Sequence, residues 1–294
     1  MIERLGHVGV WAGLYVGAAY VFFWQLSAAG APGSWPNVAA IVSVMLAATG
    51  VYAIDRVKIA DRFLDPADLV ANPVRYAFLS RHTTAVRVAA ALLIGVAMVV
   101  ARSASALLPA VIALAAVGVV LYAPGPRGRL PRPKDLLVLK NLFVAGGVVA
   151  LAVVATAMIG PISRAHGEAF WEVIRQRFAP IGDAALLLLL RVAIDAVLCD
   201  IDDTDADTAF GTQTLPVKLG RRRTLALAIV ARLGLAVLIL AISRAPLPVR
   251  GAWAGISAAS ALILILFHGQ PLKTRVDVGF FIEAILVTLI AATV

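Results

Sequence analysis

Apolar runs, each about as long as a bilayer is thick, recur from one end of this sequence to the other, and they limit its fold more than any other feature. A helix rises about 1.5 Å per residue, so roughly 20 apolar residues cross a hydrocarbon core about 30 Å thick. Runs of that size stand at 8–29, 37–54, 84–101, 104–123, 136–160, 179–198, 225–242, 248–267 and 276–294. Lipid offers the backbone no hydrogen-bond partners, so such runs are expected to be helical. The fold class is therefore all-α, a polytopic membrane protein with nine transmembrane helices. Composition agrees: 61% of the 294 residues are hydrophobic and 15% charged, with a mean hydropathy of +0.93. Soluble domains carry about 25% charged residues to keep their surfaces hydrated, so a soluble enzyme is excluded. The first run is too long, and lacks the small-residue cleavage pattern, for a removable signal peptide. A single cysteine, Cys199, excludes an internal disulfide, and no cysteine and histidine pair has zinc spacing.

Lysine and arginine set the expected orientation, because short basic loops stay on the cytoplasmic side. They gather in the amino terminus and after the second, fourth, sixth and eighth runs, and include Arg56, Lys58, Arg62, Arg127, Arg129, Arg132, Lys134, Arg221, Arg222 and Arg223. The amino terminus and these loops are thus placed in the cytoplasm and the carboxyl terminus outside. The net charge of +9 belongs to this loop pattern, and no nucleic-acid partner is expected. The outward segment from Arg164 to Arg177, with Glu168, Trp171, Glu172 and Arg175, reads as an interfacial amphipathic helix. Ala53-Ile54-Asp55 at the end of the second run recurs as Ala193-Ile194-Asp195 at the end of the sixth. Each copy leads into an acidic segment. The repeat points to one domain over 1–294, built from two four-helix halves, about 8–123 and 136–267, and a ninth helix at 276–294.

Ten of the 17 acidic residues fall in two stretches: Asp55, Asp61, Asp65 and Asp68, then Asp195, Asp200, Asp202, Asp203, Asp205 and Asp207. On helices continued past the membrane, Asp61, Asp65 and Asp68 share one face, and Asp200, Asp203 and Asp207 share another. Like charges at that spacing repel, and more strongly where water is excluded, so something positive is required there. Magnesium suits such a site, since it binds through one or two carboxylates while phosphate oxygens fill its shell. Two acidic faces would hold a diphosphate between them. Hydrated loop charges answered by nearby arginines are the plainer alternative, weakened here by the equivalent positions of the two clusters. A calcium loop starting at Asp203 fails, because Thr208 stands where glycine is needed and Thr214 where a bidentate glutamate is needed. Arg191 and Asp195, four apart within the sixth run, are expected to pair, since intramembrane ions pair or face a cavity.

The run from Asp200 through Asp207, followed by Gly211, Thr214-Leu215-Pro216-Val217 and Leu219-Gly220, resembles the second aspartate-rich motif of the UbiA superfamily of intramembrane prenyltransferases. Asp205 and Ala206 replace the usual glutamate and glycine. Asp55-Arg56 resembles the middle of the first motif, although Val51 stands where that family has asparagine and Ile59 where it has a last aspartate. Asp61 is the nearest acid, with Asp65 a further substitute. Asn72-Pro73 with Arg75 resembles the end of the same loop, and Tyr122-Ala123-Pro124 with Lys140-Asn141-Leu142 resembles a further family signature.

The resemblance implies nine helices around a central cavity and a magnesium-dependent transfer of an isoprenyl group from a prenyl diphosphate to a lipophilic or aromatic acceptor. It implies metal ligands Asp55, Asp61, Asp200, Asp203 and Asp207, substrate contacts Arg56, Asp65, Arg75 and Lys140, and catalytic roles for Asp55, Asp203, Lys140 and Tyr122. The tail would lie among the helices and the charged head at the cytoplasmic rim. Aromatic rings at Tyr52, Tyr76, Phe78 and Tyr122 are candidates to face an allylic cation, against the plainer reading of packing. His82 reads as interfacial. Two rival functions remain: a UbiA-type terpene cyclase that needs no acceptor, and a cation-coupled transporter with its acids at a cytoplasmic mouth.

Overall fold

The computed structural model describes residues 6–27, 36–59, 69–70, 72–122, 139–157, 181–266 and 272–293. Among them the chain forms helices α1 (Val10–Leu26), α2 (Val38–Val57), α3 (Pro73–Arg81), α4 (Thr83–Ala104), α5 (Leu108–Tyr122) and α6 (Leu139–Ala157). After these come α7 (Gly182–Asp202), α8 (Thr204–Phe210), α9 (Leu215–Leu219), α10 (Arg221–Ile242), α11 (Leu247–Leu266) and α12 (Leu272–Ala292). Five of them, α2, α4, α6, α10 and α11, are long and apolar enough to cross a membrane, and α1 and α5 are shorter apolar helices. Helices α7 and α12 match these in length, but α7 carries Arg191 and Asp195 and α12 carries Asp277 and Glu283 within their apolar sequence.

Neighbours in sequence among the long helices are neighbours in space, and α12 returns to pack on α1, so the chain closes on itself. Helix α1 also touches α6, α7 and α11, which places it in the interior. Its sequence fits that position. Gly13 and Gly17 remove the side chains that would hold α2 away: a Cβ at Gly13 would stand 2.1 Å from Thr49 Oγ1 and 2.7 Å from the Met45 carbonyl oxygen. Gly50 does the same between α2 and α4, where a Cβ would stand 2.8 Å from the Ala90 carbonyl oxygen. Between helices in lipid, close approach of this kind replaces the hydrophobic drive available in water. Helix α1 also buries Tyr15, Tyr20, Phe22 and Phe23, and Phe22 meets Trp253 edge-on at 4.7 Å between centroids. Gln25 joins three helices, accepting from Trp253 Nε1 at 2.9 Å and donating to Thr288 Oγ1 at 3.0 Å. Large apolar side chains such as Leu92, Val99, Val230, Val237 and Leu289 point outward and exposed, as a lipid-facing surface requires.

Of the helix ends that differ from the sequence expectation, two bear on the site. Helix α7 runs to Asp202 rather than stopping near 198, so Asp200 and Asp202 extend from a rigid element. Helix α12 begins at Leu272 rather than 276, because Asp202 accepts hydrogen bonds from the backbone N–H groups of Leu272 (2.7 Å) and Lys273 (2.9 Å). A carboxylate there satisfies donors that a helix start leaves open and meets the positive end of its dipole.

Candidate functional site

The second acidic motif straddles a helix junction. Asp203 interrupts the helix with φ −92° and ψ 1°, and α8 then continues, its Asp207 N–H donating to the Asp203 carbonyl at 2.8 Å. Asp200, Asp203 and Asp207 therefore stay on successive turns of a nearly continuous helical path. Gly211, at φ +71°, ends α8 in the left-handed conformation that favours glycine.

Each acid has a different partner. Asp200 is buried, and Lys140 Nζ donates to one of its oxygens at 2.7 Å while Asn141 Nδ2 donates to the other at 3.1 Å. The expected Lys140-Asn141 pair thus lies directly on the second motif, carried there by the first turn of α6. Asp203 pairs with Lys273 of α12. Asp205 reaches outward to Arg221 at 2.8 Å. Asp207 is buried, and its Oδ2 has no hydrogen-bond partner. Burial, with the negative charge of Asp200 and Asp203, pushes the Asp207 carboxyl up to about 6 despite the opposing Lys140. Burial pushes Asp203 upward too, but the Lys273 ammonium outweighs it, aided by Arg56 and Lys140, and holds that carboxyl below the usual range.

The first motif enters from α2. Asp55, two residues before the end of α2, pairs with Lys58 at 2.7 Å. Arg56 donates to the Tyr52 hydroxyl at 2.8 Å, with its guanidinium 4.7 Å from the centre of that ring. Its positive charge also acts on Asp203 and Asp277. Lys58 closes α2 at φ +54°, an uncommon angle outside glycine, and Arg87 of α4 holds this turn by donating to the carbonyls of Val57 (2.9 Å) and Lys58 (2.7 Å). Arg75 is buried on α3, whose start is capped by Asn72 accepting from the Arg75 N–H at 3.0 Å. Asp61 and Asp65 lie outside the described residues, and so does the side chain of Tyr122. Of the candidate aromatic rings, Tyr52 is taken up by Arg56, and Phe78 stacks on His82 at 4.8 Å.

Deeper along α7, Arg191 and Asp195 pair at 2.9 Å as the spacing implies. Three further residues, absent from the sequence reading, join them. Arg232 of α10 pairs with the other Asp195 oxygen, the Tyr15 hydroxyl of α1 donates to Asp195 at 2.9 Å, and Glu283 of α12 stands 2.8 Å from Arg191. The Arg191 guanidinium also lies 4.2 Å from the centre of the Phe280 ring. Two cations and two anions cancel, the condition for ions in a low-dielectric interior.

Among the described residues, no group of three or more histidine, cysteine, aspartate or glutamate side chains is arranged to hold a metal ion. Lysine ammoniums hold Asp200 and Asp203. The donor chemistry nevertheless fits a hard divalent cation: the donors are carboxylate oxygens, partly withdrawn from water, and the buried Asp207 Oδ2 is unpartnered. Above the Asp55 turn, an apolar hollow of about 220 Å³ lies between α2, α4 and α5, lined by residues that include Val51, Ile54, Ile94 and Val120.

Comparison with known proteins agrees with this layout. A UbiA homologue from Archaeoglobus fulgidus, solved bound to GPP and Mg2+, is 14% identical, with a TM-score of 0.61 over 97% of this chain and 96% of that one. The same homologue bound to DMAPP and Mg2+ gives 0.60 at 14% identity over 96% and 94%. An apo UbiA homologue from Aeropyrum pernix K1 gives 0.56 at 19% identity over 95% and 98%. No match is found among curated proteins. A family model described as VviA prenyltransferase matches residues 44–276, most of the chain, including both acidic motifs. The chain belongs to the VviA prenyltransferase family and is built on the UbiA fold.

Proposed function

We propose that this prenyltransferase moves an isoprenyl group from a prenyl diphosphate to a lipophilic, aromatic acceptor, within a membrane domain whose nine long helices all cross the bilayer. The observation that carries this reading is the meeting of Lys140, from the start of α6, with the acids Asp200, Asp203 and Asp207 where α7 passes into α8, with the charge of Arg56 acting on them from the end of α2. Mixed charge of this kind, set beside apolar helix faces, matches a substrate with a highly charged head and a hydrocarbon tail. The solved homologue bound to GPP and Mg2+ supports the same choice of ligand. The positive-inside pattern puts this end, and the amino terminus, on the cytoplasmic face.

Asp200, Asp203 and Asp207, with Asp55 and Asp61 of the first motif, would hold magnesium. When bound, magnesium supplies charge withdrawal from the diphosphate oxygens, which makes the diphosphate a better leaving group. Lys140, kept charged and oriented by Asp200, is placed to neutralise the negative charge that grows on the leaving diphosphate. Arg56 and Arg75 add positive charge on the first-motif side, with Asp65 and Tyr122 completing the candidate set. The hollow bounded by Val51 and Ile54 seats part of the tail and keeps water from the reacting carbon.

The test is to incubate the purified protein with prenyl diphosphates of several lengths and a panel of aromatic acceptors, with and without magnesium. Magnesium-dependent release of pyrophosphate together with a prenylated acceptor is expected. A cyclic hydrocarbon released without acceptor would replace transfer by cyclisation, and failure of any prenyl diphosphate to bind or react would overturn the reading.

A further inference from the structure

We propose that Lys273, on the first turn of α12, is a second diphosphate-binding lysine that acts opposite Lys140. This rests on the prenyl-diphosphate reading above. Helices α6 and α12 both pack against α7, and each sends one ammonium onto the acidic motif: Lys140 onto Asp200, Lys273 onto Asp203. Asp200 and Asp203 are one turn apart, so the two ammoniums flank the same short stretch of charge from different helices.

The plain alternative is that Lys273 merely fastens α12 to α7. The geometry argues against it, because that fastening already exists. Asp202 grips the backbone N–H groups of Leu272 and Lys273 at 2.7 and 2.9 Å, and this contact does not involve the lysine side chain. The Lys273 and Asp203 side chains keep 25% and 23% of their surface exposed. Water still reaches both partners of this pair, so an arriving ligand can compete for the ammonium. The backbone of Lys273 is thus fixed beside the motif while its ammonium, on a flexible four-carbon stem, is free to exchange partners. A diphosphate arriving with its counter-cations at Asp200 and Asp203 releases both ammoniums, and a phosphate oxygen is the acceptor that best replaces the lost carboxylate. Asp202 then has a defined task as a positioning residue, since it sets where the Lys273 stem begins. The site thereby extends to the last long helix of the chain.

The experiment measures binding of inorganic pyrophosphate and of geranyl diphosphate, each with magnesium, to the full chain in detergent. Lys273→Met is expected to weaken both by roughly ten- to a hundredfold, the usual range for a hydrogen bond to a charged group, and Lys273→Arg to recover most of the loss. Thermal midpoints are recorded alongside. As a measurement that needs no variant, Lys273 in the unaltered chain is acylated with an amine-reactive reagent and scored by mass spectrometry, and pyrophosphate is expected to protect it. Unchanged affinity in Lys273→Met with a lowered thermal midpoint overturns the proposal in favour of a structural pair. So does equal labelling with and without pyrophosphate, which decides the matter if the methionine variant does not fold. Failure of the unaltered chain to bind either ligand overturns the prenyl-diphosphate reading itself and is seen before any substitution is made.

Discussion

Asp195 offers the sharpest test of how this interior is held together. It is 1% exposed and accepts from Tyr15, Arg191 and Arg232, side chains of three different helices. With Glu283 it balances the two guanidiniums, so Asp195→Asn leaves one net positive charge in the bundle while keeping the side chain's shape. Two accounts of the cost give different numbers. If the cluster were only a set of hydrogen bonds, membrane-protein values of about 0.6 kcal/mol each would total about 2 kcal/mol for three. If charge balance dominates, breaking a buried ion pair costs about 3–5 kcal/mol. The burial and the paired arginines favour the second. Equilibrium unfolding in mixed micelles should therefore show Asp195→Asn destabilised by about 3–5 kcal/mol, while Tyr15→Phe, which removes one neutral donor, loses only about 0.6 kcal/mol. A loss below about 2 kcal/mol for Asp195→Asn, within what hydrogen bonds alone supply, would refute the charge-balance argument.

Three other outcomes are expected. Lys140→Met, which removes the ammonium from Asp200, should lower kcat for pyrophosphate release by roughly a hundredfold, read in single-turnover assays. Gly13→Ala should cost about 1–3 kcal/mol by detergent unfolding, because the added Cβ meets the Met45 carbonyl oxygen at 2.7 Å and backbone does not yield cheaply. Gly146→Ala, where nothing lies within 4 Å, is the control and should be neutral or slightly stabilising. Asp202→Ala should cost about 0.5–2 kcal/mol, as loss of a helix cap does, and should speed amide exchange at Leu272 and Lys273 before the rest of α12.

Local pattern accounts for what the sequence made legible here. A span is a run of apolar neighbours, and the second motif is five aspartates within the eight residues from Asp200 to Asp207, so both are visible without knowing what packs on what. Lys140-Asn141 was also legible, because it stands at the mouth of an apolar run at a fixed place in the family pattern. Periodicity reports which face of a helix a residue occupies, but not which helix that face meets. Arg232 and Tyr15 reach Asp195 from 37 and 180 residues away. One signal for the cluster was available: Arg191, Arg232, Asp195 and Glu283 all lie within apolar runs, and such charges must be paired by one another across helices.

Lys273 shows a harder limit, and its cause lies in where a helix starts. In the sequence it sits among basic residues before the last apolar run, where a lysine looks like one more positive-inside charge. Apolar periodicity begins only at Val276, so a reading based on it leaves Lys273 in a loop. The helix begins earlier because of a cap that is not local: Asp202, seventy residues back, supplies the carboxylate that a nearby serine or aspartate would ordinarily provide. Once that cap is made, Lys273 joins the first turn of α12 and its side chain is delivered to Asp203. The acid run therefore does more than collect positive charge, since one of its members sets the start of the helix that brings a neighbouring member its lysine. Reducing Asp202 to a possible metal ligand would miss this, and the exchange measurement on Leu272 and Lys273 separates the two roles, because a ligand's loss leaves those amides protected whereas a cap's loss exposes them.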